Sequence, residues 1–445
     1  MNQNGAIYDA RSLGAPKMMV LGFQHMFAMF GATVLVPALT GLSVSATLLF
    51  AGLGTLLFHV LTKMKVPAFL GSSFAFIGGY QAIAMMPDGT VDASLLPYAC
   101  FGVACAGLMY VLLSALFKVF GTKTVMRFFP PIVTGPVIIC IGLTLSKTAI
   151  DSCRTNWPIA LVAIAIVVVC NIWGKGMIKI IPILLGVIGS YVVGALSGNV
   201  DFSAVAAAPW VGLPFQFENT LFGLFGRPDL DTGILLTSAV TIMPLALATM
   251  VEHIGDMCAI SSTCERNYLE DPGFHRTLLG DGLATTLASV FGAPANTTYG
   301  ENTGVLALSR VYDPRVIRIA ACLAMVFSFS PKFAALISAM PQATMGGVSM
   351  VLYGMISAVG VRNVVENQVD FTNSRNVIIA ALIMVLAIGI NYSGAVTFAV
   401  GSATISMSGL AVAAIAGIAL NAVLPGKDYE FGADQKGDTS VNFKV

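Results

Sequence analysis

Long apolar stretches, separated by short polar runs, follow one another along almost the whole chain. A helix of about 20 apolar residues can cross the hydrocarbon core of a bilayer, which is about 30 Å thick. With glycine, proline and charged residues taken as boundaries, the pattern predicts an all-α integral membrane protein with fourteen membrane segments. The predicted segments are 18–38, 44–63, 67–86, 96–117, 129–147, 157–173, 178–197, 233–258, 277–293, 296–309, 315–330, 343–360, 375–391 and 397–424.

The third and tenth segments are interrupted by runs of small, polar and aromatic residues. These runs are Phe69-Leu-Gly-Ser-Ser-Phe-Ala-Phe76 and Ala295-Asn-Thr-Thr-Tyr-Gly-Glu-Asn302. Irregular backbone at membrane depth is tolerated where it lines a cavity, and paired interruptions in the two halves of a chain indicate a transporter's binding site. The pattern therefore predicts a secondary transporter.

Composition and charge support a membrane protein with a defined orientation. Hydrophobic residues make up 56% of the chain and charged residues 10%, against roughly 25% charged residues in a soluble domain. The net charge of +1 gives no support to nucleic-acid binding. If both termini are cytoplasmic, all but four of the 23 Lys and Arg residues fall on the cytoplasmic side, as the positive-inside rule expects. The exceptions are Lys147, Arg154, Arg227 and Lys332.

Motifs of catalysis and of metal binding are missing from the sequence. No phosphate-binding loop, serine nucleophile elbow or His-Glu-x-x-His motif is present, so an ATP-driven or hydrolytic protein is not predicted. The eight cysteines form no Cys-x-x-Cys pair, which argues against a zinc site and a disulfide framework. We predict no enzyme activity, no cofactor and no metal.

The two halves of the sequence resemble each other in order. Gln24-His25 in the first segment corresponds to Glu252-His253 in the eighth, and Phe74 in the third corresponds to Gly300 in the tenth. Because each half contains seven segments, an odd number, the second half enters the membrane with opposite polarity. The sequence therefore predicts a seven-plus-seven inverted repeat, although chance resemblance between glycine-rich segments is the alternative.

Four carboxylates fall inside predicted segments: Glu252, Asp256, Asp281 and Glu301. A charged side chain at the bilayer centre costs about 2.5–3.5 kcal/mol even on lenient insertion scales, so such residues usually belong to a transport pathway. Glu252 and Asp256 are four residues apart and share one helix face. Burial favours the protonated carboxyl, which suits proton transfer. The alternative is a structural carboxylate held near a helix end, and it is strongest for Asp256. His25 lies inside the first segment, where a structural hydrogen bond competes with a role in proton coupling.

The interrupted segments offer the groups that a planar heterocycle needs. Half-helix N-termini present backbone N–H donors to carbonyl oxygens, and a carboxylate at Glu252 or Glu301 accepts ring N–H bonds. Phe74 or Tyr299 can stack on a flat ring, with ordinary packing as the alternative for both. These segments contain no Lys or Arg, so they suit an inorganic anion poorly.

At these residues the sequence resembles the nucleobase–ascorbate transporter family, most closely its bacterial uracil:proton symporters, over nearly the whole chain. The run Glu301-Asn-Thr-Gly-Val-Leu-Ala-Leu-Ser-Arg310 is similar to the family signature, with Ser309 where Thr is usual. The other matching runs are Gln24-His-Met-Phe-Ala-Met-Phe-Gly-Ala-Thr-Val-Leu-Val-Pro37, Gly71-Ser-Ser-Phe-Ala-Phe76, Asp271-Pro-Gly-Phe-His-Arg276, Asn296-Thr-Thr-Tyr-Gly-Glu-Asn302 and Met345-Gly-Gly-Val348.

The resemblance implies a core domain and a gate domain, short β-strands in segments 3 and 10, and a homodimer in the cytoplasmic membrane that works by an elevator-like movement. The core domain is expected to comprise residues 18–119 and 233–331, and the gate domain residues 120–232 and 332–424. A cytoplasmic N-terminal tail is expected over 1–17 and a cytoplasmic C-terminal tail over 425–445.

The resemblance also implies roles for individual residues in nucleobase:proton symport. Glu252 is expected to hold the ring N–H of the base. Phe74, Tyr299 and Gly300 are expected to line it, with backbone amides meeting its carbonyl groups. Glu301 is expected to contact the base and to take part in proton coupling. Asp256, Asp281 and His25 are expected to support that coupling.

Two positions depart from the uracil pattern. Asp256 stands where the uracil symporters have His, and Asp281 where they have Asn. Asp at both positions resembles the purine and xanthine members, whereas Glu301 follows the uracil pattern because the purine members typically have Gln there. Uracil is the predicted substrate, with xanthine or uric acid as the alternative. An anion transporter of the same architecture is a further alternative, which a fixed carboxylate at Glu301 opposes.

Overall fold

A computed structural model describes residues 6–86, 90–400, 403–427 and 429. Its α-helices are α1 (Ala15–Thr40), α2 (Val44–Leu61), α3 (Ile77–Ala84), α4 (Leu96–Phe120), α5 (Thr122–Met126), α6 (Pro131–Thr144), α7 (Ser146–Arg154), α8 (Trp157–Trp173), α9 (Met177–Ile180), α10 (Pro182–Leu196), α11 (Ser203–Ala207), α12 (Leu221–Phe225), α13 (Thr232–Ile242), α14 (Leu245–Thr263), α15 (Phe274–Val290), α16 (Gly300–Ser309), α17 (Pro314–Ser328), α18 (Pro331–Ser338), α19 (Gln342–Glu366), α20 (Ser374–Ser393) and α21 (Gly409–Val423). The strands are β1 (Leu70–Ser72), β2 (Asn296–Thr298), β3 (Val396–Val400) and β4 (Ala403–Met407).

Within the described residues, seven helical stretches are long and apolar enough to cross a membrane. An eighth is added if α17 and α18, which are bent by 88° to each other, count as one span. Further apolar helices are shorter: Phe74–Ala84, Trp157–Trp173, Pro182–Leu196 and Gly409–Val423. The chain is therefore a mostly helical, multi-pass membrane protein, and the count of fourteen segments stays a prediction.

The interrupted third and tenth segments do contain the expected short strands. β1 and β2 pair antiparallel, with Gly71 opposite Thr297. Each strand leads directly towards a helix start: Phe74–Phe76 forms a 3-10 turn before α3, and Gly300 begins α16. The two interruptions thus meet although they are more than 200 residues apart in the chain.

The prediction of one continuous segment over 397–424 is wrong. The hairpin of β3 and β4 occupies its beginning, and a helix starts only at Gly409, where the Ser408 side chain caps the backbone N–H of Ala411. The run Val396-Thr-Phe-Ala-Val400 is rich in β-branched and aromatic residues, which favour a strand, and apolarity alone does not distinguish it from a helix.

The predicted N-terminal tail is partly built into the fold. Ile7 forms a parallel bridge with Val311, and the backbone N–H of the buried Ala10 donates to Asp313 Oδ2 at 2.7 Å. Tyr8 donates its hydroxyl to the Cys264 carbonyl at 3.0 Å, beyond the end of α14. Most of the predicted C-terminal tail lies outside the described residues.

Close contacts between small residues bring helix backbones together. A β-carbon on Gly107 of α4 would lie 2.8 Å from the carbonyl oxygen of Gly282 in α15. One on Gly360 of α19 would lie 2.7 Å from the carbonyl oxygen of Gly135 in α6. Small residues at such crossings are typical of membrane helices. One group of packed helices contains α1, α2, α4, α15 and α17, and another contains α6, α8, α10, α19 and α20.

Candidate functional site

A cavity of about 630 Å³ lies where the interrupted segments meet α14 and the second group of helices. Its lining includes every residue predicted to bind substrate, and also Asp256. Those predicted residues are Phe74, Glu252, Tyr299, Gly300 and Glu301. Helices α6, α10 and α19 contribute the opposite lining. The volume is that of a small-molecule site.

Two half-helices start at this cavity because β1 and β2 are paired. Ser73 donates its backbone N–H to Ala295 at 2.8 Å, and Tyr299 donates its own to Phe69 at 3.0 Å, so both chains stay extended up to the helix starts. A β-carbon on Gly300 would meet no atom within 4 Å, which leaves the first turn of α16 open to the cavity. The first N–H groups of a helix lack partners within the helix and can meet carbonyl oxygens of a ligand.

The carboxylates Glu252 and Asp256 line the cavity from successive turns of α14. Asp256 accepts a hydrogen bond of 2.7 Å from the Thr298 hydroxyl of β2. The buried Oε2 atom of Glu252 has no hydrogen-bond partner among the described residues. A buried acceptor without a hydrogen-bond partner costs free energy. Of the two carboxylates, Glu252 is therefore better placed than Asp256 to accept a hydrogen bond from a ligand.

The Tyr299 side chain braces the strand pair. Its hydroxyl donates to the Ser72 carbonyl at 2.9 Å and lies 3.3 Å from the Thr33 hydroxyl, and only 4% of the residue is exposed. This geometry fits the alternative given for Tyr299, ordinary packing rather than stacking on a ligand. Phe74 meets Tyr353 of α19 edge to face, with ring centroids 5.7 Å apart.

His25 and Asp281 do not line the cavity, and each takes part in a buried pair behind it. Asn302 donates to the His25 carbonyl at 3.0 Å, and its amide nitrogen is 3.2 Å from His25 Nδ1. Asp281 Oδ2 is 3.0 Å from His253 Nδ1, and both side chains are fully buried. The structure thus separates the two residues from the ligand-facing groups and places them where they can position α1, α14 and α16.

Sequence reasoning missed Thr298, Asn302 and His253 as partners of the predicted residues. Thr298 and Asn302 belong to the same polar run as Glu301, and His253 follows Glu252 directly, so each carried a local signal. The partner of each side chain comes from another region of the fold, which a single sequence does not reveal.

Replacing Gly71 by alanine is expected to destabilise the strand crossing. A β-carbon at this position would lie 2.4 Å from Cζ of Tyr299, so the ring and its hydrogen bond to Ser72 must shift. Overpacking of this kind costs about 1–3 kcal/mol. The expected result is a lower melting temperature of the purified protein. Gly78→Ala is the matched control, since its added carbon meets nothing within 4 Å. Equal melting temperatures for the two variants would contradict this packing argument.

Comparison with known proteins places the chain in a family. The sequence pattern of a family described as "Permease family" matches residues 16–396. The chain belongs to this permease family. The permease is 40% identical over 432 residues to a uracil permease of Bacillus caldolyticus, covering 95% of this chain and 94% of the relative. It is 40% identical over 415 residues to a uracil permease of Bacillus subtilis, covering 90% of this chain and 91% of the relative. The resemblance seen in the sequence is confirmed.

Solved structures of low sequence identity share the fold of the permease. The transmembrane domain of the cyanobacterial bicarbonate transporter BicA has 15% identity and a TM-score of 0.57, covering 93% of this chain and 99% of that one. SLC26A9 has 12% identity and a TM-score of 0.65, covering 94% of this chain and 66% of that one. Family and fold together identify a multi-pass membrane transporter, as predicted, and not an enzyme.

Proposed function

We propose that the permease imports a nucleobase, and that the base is uracil. The observation that carries the proposal is the cavity, where Glu252, Gly300, Glu301 and Phe74 come together in a chain that is 40% identical to uracil permeases. The lining combines carboxylate acceptors, a free helix start and an aromatic ring. This set matches a flat ring whose edge alternates C=O and N–H groups.

Each group has a proposed role towards the base. Glu252 accepts a ring N–H through its unpartnered carboxylate oxygen. The first backbone N–H groups of α16 donate to a ring carbonyl, and Glu301 accepts a second N–H or carries the coupled proton. Phe74 covers one face of the ring, held in place by its contact with Tyr353. Tyr299 shapes the site by bracing β1 against α16.

Xanthine or uric acid is the second candidate because of Asp256 and Asp281. Asp256 lines the cavity, so a larger purine ring would reach a further acceptor there. The Thr298 hydroxyl already donates to this carboxylate, however, which reduces its capacity to bind a second donor. Asp281 faces His253 in the interior and reaches a ligand only through that pair. This geometry favours uracil.

An inorganic anion, such as the bicarbonate carried by BicA, suits this cavity less well. Glu252, Asp256 and Glu301 line it, and their negative charges oppose an anion near the start of α16. Lys179 and Arg362 are also in the lining, but Arg362 is 2.5 Å from Glu366 and so is already compensated.

We further propose proton symport. Four carboxyl groups lie at or behind the cavity: Glu252, Asp256 and Glu301 line it, and Asp281 is buried behind it. Glu301 lies in the first turn of α16, whose N–H groups are proposed to meet the base, so protonation and ligand binding act on the same helix turn. Asp256, Asp281 and His25 support this coupling by holding α14, α15 and α1 in register. No ATP-binding motif is present in the sequence.

The proposed mechanism is an elevator-like movement of a core domain against a gate domain, built from a seven-plus-seven inverted repeat. Its support is that β1 and β2 occupy corresponding places in the two halves, and that the cavity lies between the interrupted segments with α14 on one side and α6, α10 and α19 on the other. We propose a homodimer in the cytoplasmic membrane, with both termini in the cytoplasm because of the distribution of Lys and Arg.

Uptake of labelled uracil by cells that lack their own nucleobase permeases tests this function. We expect uptake well above that of cells with an empty vector, rising as external pH falls and collapsing when a protonophore is added. Uptake of neither uracil nor xanthine above the empty vector would contradict nucleobase transport. Uptake that resists the protonophore but requires sodium would contradict proton coupling alone.

A further inference from the structure

The ends of α2 and α4 meet the start of α15 at residues that do not line the cavity. Ser114 near the end of α4 donates its hydroxyl to the His275 carbonyl at 2.5 Å, at the start of α15. Arg276 donates from Nη1 to the Leu61 carbonyl at 3.1 Å, the last residue of α2. These two hydrogen bonds fix the end of α2, the end of α4 and the start of α15 side by side.

The residues next to these contacts form a basic corner, which we define as Lys63, Lys118, His275 and Arg276. Lys63 is two residues beyond Leu61, and Lys118 is one helical turn beyond Ser114. Lys63, Lys118 and Arg276 are all close enough to the His275 ring to act on it electrostatically. Positive charges gathered in this way repel one another unless an anion compensates them.

Carboxylates of the protein do not supply this compensation within the described residues. Neither Lys63, Lys118 nor Arg276 lies within ion-pair distance of a described carboxylate. Asp271 is the acidic neighbour and is close enough to Lys63 to interact with it electrostatically, but its ion pair is with Lys65. The basic corner therefore retains a net positive charge.

Exposed apolar side chains surround the basic corner. Val60 and Met64 flank it on the α2 side, and Leu116, Val119 and Phe120 flank it on α4. In a membrane protein, exposed apolar residues at helix ends face acyl chains, and basic residues beside them face lipid head groups. A soluble anion would need the charges alone, whereas a phospholipid also uses the apolar rim.

We propose that the basic corner binds the phosphate head group of an anionic phospholipid, with the acyl chains against the rim on α2 and α4. Lys63 and Lys118, which are exposed, attract the head group. His275 and Arg276, which are half-buried, lie at the start of α15. The proposal does not depend on which substrate the permease carries.

The experiment is equilibrium binding of phosphatidylglycerol to the detergent-purified full-length protein by native mass spectrometry, with phosphatidylcholine of the same chains as the uncharged comparison. In the double variant Lys63→Gln/Lys118→Gln we expect roughly 30-fold weaker phosphatidylglycerol binding, since each basic side chain near an anionic lipid contributes about 1 kcal/mol. The control Lys175→Gln/Lys427→Gln removes the same charge from exposed lysines elsewhere and should bind as the unchanged protein does.

Several results would overturn the proposal. They are equal binding of the two lipids, equal loss in both double variants, or displacement of the lipid by millimolar inorganic phosphate, which would indicate a simple anion site. The melting temperature in lipid-free detergent checks that the double variants are folded. The single charge reversal Lys118→Glu gives a second variant and should weaken phosphatidylglycerol binding without changing phosphatidylcholine binding.

Discussion

Replacing Glu252 by glutamine is expected to weaken uracil binding strongly and to reduce uptake with it. The Oε2 atom of Glu252 is buried, lacks a partner among the described residues and belongs to the cavity lining. A hydrogen bond to a charged group contributes about 1.5–3 kcal/mol, so its loss weakens binding by about 10- to 150-fold. The glutamine amide also places an N–H donor against the ring N–H of the base. Binding of labelled uracil to the purified variant measures the effect.

The control for this substitution is Glu218→Gln. Glu218 is exposed in the turn Phe217–Asn219 and does not line the cavity, so the same chemical change should leave uracil binding unaltered. If Glu252→Gln bound uracil as tightly as Glu218→Gln, the carboxylate would not hold the base.

Replacing Glu301 by glutamine is expected to change substrate preference and to flatten the pH dependence of uptake. A glutamine amide both donates and accepts, as the wider edge of a purine requires, and it does not titrate. We expect the ratio of xanthine to uracil affinity to rise by about tenfold, which corresponds to about 1.4 kcal/mol. Competition binding with both bases, together with uptake at several external pH values, measures both effects.

Glu270→Gln is the matched control for Glu301→Gln, since Glu270 is exposed in the turn Leu269–Gly273 outside the cavity. An unchanged ratio of affinities would mean that Glu301 does not set specificity. A pH dependence that persists in the Glu301 variant would assign the coupled proton to another carboxyl of the lining, Glu252 or Asp256.

The paired interruptions could be predicted from sequence because they break a strong pattern. A polar, glycine-containing run such as Asn296-Thr-Thr-Tyr-Gly300 stands out within an apolar chain. A carboxylate inside a predicted membrane segment, such as Glu252, stands out because a charge at that depth costs free energy. Both signals are local, and both led to residues that line the cavity.

Other features depend on tertiary contacts that a single sequence does not contain. The Thr298–Asp256 hydrogen bond and the His253–Asp281 pair join segments whose relative positions only the fold determines. The β3–β4 hairpin was missed for a different reason. Its first strand is as apolar as a membrane helix, so hydropathy alone assigned it to a helix.

The most direct test of the central claim is equilibrium binding of uracil against xanthine to the purified protein at pH 5.5 and pH 7.5. We expect tighter binding of uracil than of xanthine, with uracil affinity higher at pH 5.5, because a protonated carboxyl accompanies the bound base. Preference for xanthine would contradict the uracil assignment and would mean that Asp256 and Asp281 outweigh Glu301. Binding of neither base at either pH would contradict the nucleobase site itself.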